Sequence, residues 1–215
     1  MTIASDRLNF AEYLKYIDGT DYRYELVNGE LIPMSLGTGQ HGAVIKFLEK
    51  NLEVDIAEQN QDWVVLPALV GIRSPKGGRW DTCRIPDLVV MPQAQWRSLQ
   101  TCEAIIEINQ PPPILVVEVV SESTKSTDYR AKRGEYSVLG ILEYWVVDPL
   151  IKKITIFRLD DGWYEVSEYV GEEIAQSPTF PNLKLTANQV FGNLLKWFAA
   201  FNNFKNNHLW RKSQS

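Results

Sequence analysis

Glu118 stands inside Ile114-Leu115-Val116-Val117-Glu118-Val119-Val120-Ser121, an otherwise apolar run. A Val- and Ile-rich run of that length reads as a strand buried on both faces. An ionised carboxylate there is costly unless it is paired or holds a metal. Asp87 has a similar setting: it follows Pro86 and opens Asp87-Leu88-Val89-Val90-Met91, a second short β-rich run. If the two strands are neighbours, both carboxylates can point to one place. Hard divalent cations such as Mg²⁺ take oxygen ligands, often one or two carboxylates with water completing the shell. Such a cation activates water and neutralises charge on a scissile phosphate. The two acids are raw material for a metal-dependent phosphodiesterase.

Lys132 is the third member. A polar loop over 121–127 leads into a predicted helix over 128–139, capped by Ser126 or Thr127 and stopped by Gly140. Asp128, Lys132 and Tyr136 lie at successive i, i+4 positions and share a face. A lysine over a carboxylate site can orient water or stabilise developing charge. Glu30, and after it Glu25, are further candidates from the first hairpin, and His41 stands at the start of the next helix. Each residue has a plainer reading too. Asp87 could cap a turn, Glu118 could be half of a buried ion pair with Lys132 or Arg130, and Lys132 could be solvated. Glu25 and Glu30 could be cross-strand surface charges, and His41 could pack or cap at its helix start. The signal lies in the combination.

The segment 73–84 carries four basic residues, Arg73, Lys76, Arg79 and Arg84, with one acid, Gly77-Gly78 and Trp80. It reads as a loop leading into Asp87. Its expected role is contact with a nucleic-acid backbone, with Trp80 stacked on a base; the plainer reading is a solvated connection.

These residues need elements to position them. Leu8 to Ile17 reads as a short helix, and Tyr22 to Met34 as a hairpin across Asn28-Gly29, the strongest two-residue hairpin signal. Gln40 to Glu58 has helical apolar spacing and Trp63 to Ile72 reads as a strand. Pro111-Pro112-Pro113 ends the ambiguous stretch before the Glu118 strand. Glu143 to Val147 is a strand, and 153–159 with 163–169 form a hairpin across Asp160-Asp161-Gly162. A C-terminal helix is expected from Ala187 to Phe204. Strand, crossover helix and strand imply a mixed sheet with helices packed on it.

At 215 residues and 45% hydrophobic content, the chain is long enough for one sizeable core. The net charge of −5 and pI of about 5.2 argue against a strong non-specific DNA binder, but not against an enzyme with a local basic strip. Cys83 and Cys102 lack metal or disulfide spacing. No run approaches about 18 consecutive apolar residues, and the first ten lack a signal-peptide order, so cytoplasmic residence is the expectation.

Taken together, these motifs resemble the PD-(D/E)XK nuclease superfamily, and within it the Uma-two family of restriction-endonuclease-like proteins. The resemblance is carried by Tyr24 to Glu30, His41, Pro86-Asp87, Glu118 to Ser121 with Ser123-Thr124, Asp128 and Lys132, and by Glu143 to Pro149. It implies an α/β fold of restriction-endonuclease type, a mixed sheet flanked by helices. A single domain is expected over 1–215, with its core over about 22–170 and a C-terminal helical extension over about 186–207 that the resemblance does not cover. The resemblance also implies a DNA endonuclease using Mg²⁺ or Mn²⁺. Asp87 and Glu118 would bind the metal, Lys132 would act on water or charge, and Glu30 would complete the site. A homodimer is a further expectation. The lysine usual two residues after the Glu is replaced by Val120, and Lys132 on the following helix is the position that matches. The alternatives are a catalytically inactive interaction module on the nuclease fold, or a nuclease for RNA or branched DNA.

Overall fold

The structure, a computed structural model, describes residues 7–192 apart from 21, 76–80 and 123. Helix α1 (Phe10–Leu14) precedes a hairpin of β1 (Tyr24–Val27) and β2 (Glu30–Pro33). Its two turn residues have φ of 52° at Asn28 and 83° at Gly29, as a tight right-twisted hairpin demands. Helix α2 (Gly39–Glu58) follows, with Thr38 accepting a hydrogen bond from the His41 amide at its start. Next come β3 (Trp63–Pro67), β4 (Gly71–Pro75), β5 (Asp81–Arg84) and β6 (Leu88–Pro92), then α3 (Gln93–Leu99) and the short β7 (Ile105–Ile106). Strand β8 (Leu115–Val119) carries Glu118. A π-helix (Thr127–Lys132) runs into α4 (Arg133–Val138), followed by β9 (Glu143–Asp148), β10 (Lys153–Asp160), β11 (Trp163–Val170) and α5 (Ala187–Gly192). The rest of the expected C-terminal helix lies outside the described residues.

The strands form two mixed sheets rather than one. The larger has the order β11-β10-β9-β8-β6-β3, and the smaller β2-β1-β5-β4-β7. Among the described residues only β8–β9 and β4–β7 are parallel; the crossover from β8 to β9 carries the π-helix and α4.

Alternation along the strands sorts the core. Leu115, Val117 and Val119 of β8 face α2 and α5 together with Leu88 and Val90 of β6. Val116 and Val120 face the opposite layer with Val89 and Met91, beside Tyr136 and Tyr144. By the two-residue period, Glu118 and Asp87 both belong to this second face.

Three expectations change. The strand predicted from Trp63 to Ile72 breaks at Ala68, where φ is 45°, and becomes the separate strands β3 and β4 of different sheets. Within the predicted loop over 73–84, residues 73–75 and 81–84 are strand: β4 and β5 pair antiparallel, with Arg73 opposite Cys83 and Ile72 opposite Arg84. Ser126 is already helical and caps nothing, because the turn closes earlier through the Asp128 amide to the Thr124 carbonyl at 2.9 Å. Gly140 does end α4: its φ is 73°, and the amides of Gly140 and Ile141 reach back to Ser137 and Tyr136.

Candidate active site

Asp87 and Glu118 are positioned by adjacent antiparallel strands. The β6–β8 register pairs Leu88 with Val117, and one step further it sets Asp87 opposite Glu118. One Asp87 oxygen accepts the Val119 amide at 2.7 Å, which fastens the end of β6 to β8 beside Glu118. The other lies 3.1 Å from His41 Nε2, at the start of α2. Gly37 lets the chain pass close to His41: a Cβ at that glycine would lie 2.8 Å from the imidazole.

Behind this pair the site closes. Glu118 is buried, accepting from the Tyr136 hydroxyl at 2.9 Å and pairing with Lys132 Nζ at 2.8 Å. The same ammonium lies 3.1 Å from Asp128 Oδ1 and 3.8 Å from Glu25. The Asp128 contact is an ion pair of poor hydrogen-bond alignment, so that buried oxygen keeps unused accepting capacity. Glu25 also accepts the Ile85 amide at 3.0 Å and pairs with Arg84 at 3.1 Å. Arg84 makes a two-pronged bond to Glu135, at 2.8 and 2.9 Å, the strong planar geometry of a guanidinium on a carboxylate. The network thus spans both sheets and the helical crossover.

The electrostatics follow from this crowding. Burial, against the opposing pull of Lys132, pushes the Glu118 carboxyl well above the ordinary range, and neighbouring Asp128, Asp87 and Glu25 push it the same way. Burial also raises Asp128, opposed by Lys132. Burial alone would strip the Lys132 proton, but Glu118, Glu25 and Asp128 outweigh it and hold the ammonium protonated. The hydrogen bond to Asp87 raises the proton affinity of His41 against the effect of burial. More negative than positive charge is gathered here, and Asp87 and His41, the half-buried members, form its open end.

The comparisons agree with this architecture. A family model described as "Putative restriction endonuclease", Uma2, matches residues 10–188. The chain belongs to the Uma2 family. An uncharacterized protein of Synechocystis sp. is 23% identical over 175 residues, covering 80% of this chain and 93% of the relative. A crystal structure from Anabaena variabilis, of a "putative nuclease belonging to DUF820", superposes with a TM-score of 0.68 at 19% identity. It covers 87% of this chain and 99% of that one, and so shares the fold.

In this Uma2 chain the structure gathers Asp87, Glu118, Lys132, Asp128, Tyr136, Glu25 and His41. It does not gather Glu30, which sits on the edge strand β2 beside the turn, exposed and paired with Arg7 at 3.3 Å. Glu25 takes the place expected of Glu30. It alternates with the buried Leu26 on β1, an inner strand of its sheet, so it points away from Leu26 toward the crossover helix. Arg84 and Arg73 are not free for phosphate. Arg84 is buried in the network, and Arg73 is held by Asp81 at 2.7 Å and Glu107 at 2.8 Å and covers the Phe10 ring. Lys76, Arg79 and Trp80 lie outside the described residues. Lys125, just before the π-helix, lies outside the network and reaches toward Asp148 at 3.8 Å. Glu135 was missed, although the rule that placed Asp128, Lys132 and Tyr136 on one face also admits a residue three after Lys132. The π-helix carries no sequence signal; such segments recur at functional sites. Among the described residues, no three His, Cys, Asp or Glu side chains gather within metal-binding reach.

Proposed function

We propose that this chain is a Mg²⁺- or Mn²⁺-dependent endonuclease that hydrolyses phosphodiester bonds of DNA. The observation that carries the reading is Asp87 set opposite Glu118 on adjacent strands, with the Lys132 ammonium 2.8 Å from Glu118. The donor set suits a hard cation: carboxylate oxygens in surplus, one of them on Asp128 poorly satisfied. Mg²⁺ needs no three-ligand cluster, which the described residues do not form; it is often held by one or two carboxylates and keeps several waters. Asp87 and Glu118 would hold it, Asp87 from the open end and Glu118 from the closed one. Bound there, the cation supplies Lewis acidity and a more acidic water.

The chain's own residues supply the rest. Hydrolysis adds one water across a P–O bond. Lys132, kept protonated, donates hydrogen bonds toward the charge that develops on phosphate and does not serve as a base. Asp128 and Glu118 fix its position. Tyr136 donates to Glu118 and orients that carboxylate. His41, with raised proton affinity at the open end, is placed to carry a proton near a leaving oxygen.

Metal titration of the purified protein with plasmid, linear and branched DNA tests the reading. Cutting is expected with Mg²⁺ or Mn²⁺, none with a chelator, and none by Asp87→Asn. Saturating Mg²⁺ or Ca²⁺ should raise the melting temperature, by about 2.7 kcal/mol of stability at a hundredfold excess over Kd, and Asp87→Asn should lose the shift. No cleavage and no cation-dependent shift would leave a non-catalytic interaction module on the nuclease fold. The net charge of −5, Val120 at the usual lysine position and the internal pairing of Arg73 and Arg84 favour that second reading.

A further inference from the structure

Across the smaller sheet from Glu25 lies a groove of about 330 Å³, at the lower end of the sizes that take small ligands. Four tyrosines line it: Tyr13, Tyr16, Tyr22 and Tyr24. Tyr13 and Tyr24 are anchored, the first hydroxyl donating to the Tyr24 carbonyl at 2.7 Å and the second to Asp18 at 2.5 Å. Tyr16 meets Tyr24 edge to face, 5.8 Å between centroids, yet is 42% exposed, and Tyr22 is 69% exposed. Two of the four rings are thus exposed to solvent and two are held.

The groove lies on the face of the smaller sheet opposite Glu25 and Arg84, and its end meets the chain that carries Asp87. Ile85, two residues before Asp87, forms part of its wall, and the Ile85 amide is held by Glu25. Arg23, also in the groove, donates to the Ala68 carbonyl at 2.7 Å, and the Ala68 amide donates to the Asp87 carbonyl at 3.0 Å. The charge here is balanced, one Arg23 against one Glu103. A bare phosphate chain gains little from such a surface. Ring faces gain much, and each nucleobase has one to offer when it is unpaired. In a duplex those faces are hidden in the stack.

We propose that this groove takes an unpaired nucleobase by stacking on Tyr16 and Tyr22, with its phosphate on Arg23. The inference rests on the nuclease reading and deepens it: the preferred substrate carries single-stranded or extrahelical nucleotides beside the bond to be cut.

Fluorescence anisotropy on the full chain, in a chelating buffer that prevents cleavage, tests this with labelled oligothymidine and a blunt duplex of equal length. The oligothymidine should bind more tightly. Tyr16→Ala and Tyr22→Ala should each weaken it about fivefold or more and leave duplex binding unchanged. Tyr16→Phe, which keeps the ring, should bind as the wild type does. Both positions are exposed, and melting curves check that each variant is folded. Equal affinity for both nucleic acids, or oligothymidine binding indifferent to both alanine variants, overturns the proposal. If that happens while Asp87→Asn still abolishes plasmid cutting, the groove fails and the nuclease reading stands. If the tyrosine variants lose binding but wild type cuts nothing with either metal, the groove holds and the nuclease reading fails.

Discussion

Two buried glutamates on neighbouring strands receive opposite treatment. Glu143 on β9 faces the α2 side of the sheet and, among the described residues, accepts from neutral donors: Trp145 Nε1 at 2.5 Å, the Ser177 hydroxyl at 2.7 Å and the Thr179 amide at 3.0 Å. It pins the segment after β11 onto the sheet, and Ser177 in turn caps the Phe180 amide. Glu118 on β8 faces the other side. Its partners are an ammonium and a phenol, and further carboxylates crowd it. Burial is equal at the two positions, so burial alone does not mark a reactive acid. The distinction lies in the partners: dipoles that satisfy a carboxylate make a structural joint, whereas a shared cation amid surplus negative charge makes a site that can accept another cation or a proton.

Removing the cation should sharpen that contrast most. Lys132→Met strands Glu118 and Asp128 in the interior, and losing one partner of a buried pair costs about 3–5 kcal/mol. Urea unfolding should register that loss, together with the disappearance of DNA cutting. The plainer reading of Lys132 as a solvated side chain therefore changes, because the residue is only 4% exposed. Smaller is the cost at the structural joint. Glu143→Ala leaves the Trp145 and Ser177 donors unpaired, which should destabilise by about 1–3 kcal/mol, yet cutting measured well below the melting temperature should match wild type. Activity lost in step with Lys132→Met would erase the contrast between the two glutamates.

The smallest effect belongs to pH. His41 has its proton affinity raised by the bond to Asp87, so its folded-state pKa exceeds its unfolded one. The stabilisation is fully present below the ordinary histidine value, about 6.5, and fades as pH rises through the raised one. The stability difference between wild type and His41→Gln should accordingly be largest near pH 6 and shrink toward pH 9. A difference that grows with pH would mean that Asp87 does not hold the imidazolium.

Much of this molecule was legible in its residues for local reasons. Asn28-Gly29 and Asp161-Gly162 specify tight hairpins because few other pairs tolerate positive φ twice in succession. The unbroken apolar run around Glu118 announced a buried strand, and its period of two already assigned Glu118 to the face opposite Val117. The spacing of Asp128, Lys132 and Tyr136 put them on one helical face, and together with Pro86-Asp87 and Glu118 they pointed to the Uma2 family that the comparison supports. Other features depend on partners distant in the chain. Whether Glu25 or Glu30 joins the network is decided by β1 lying inside its sheet and β2 at the edge. Whether Arg84 is a phosphate hand or a buried strut depends on Glu135, 51 residues away. The division of the strands into two sheets, at a break at Ala68, did have a local signal: Pro67 stands directly before it, and a reading of one strand from Trp63 to Ile72 runs through that proline. Local chemistry reads out from a sequence because backbone preference and side-chain period act over a few residues. The choice between a solvated charge and a buried ion pair waits for the tertiary structure, since only packing determines which desolvated charges meet.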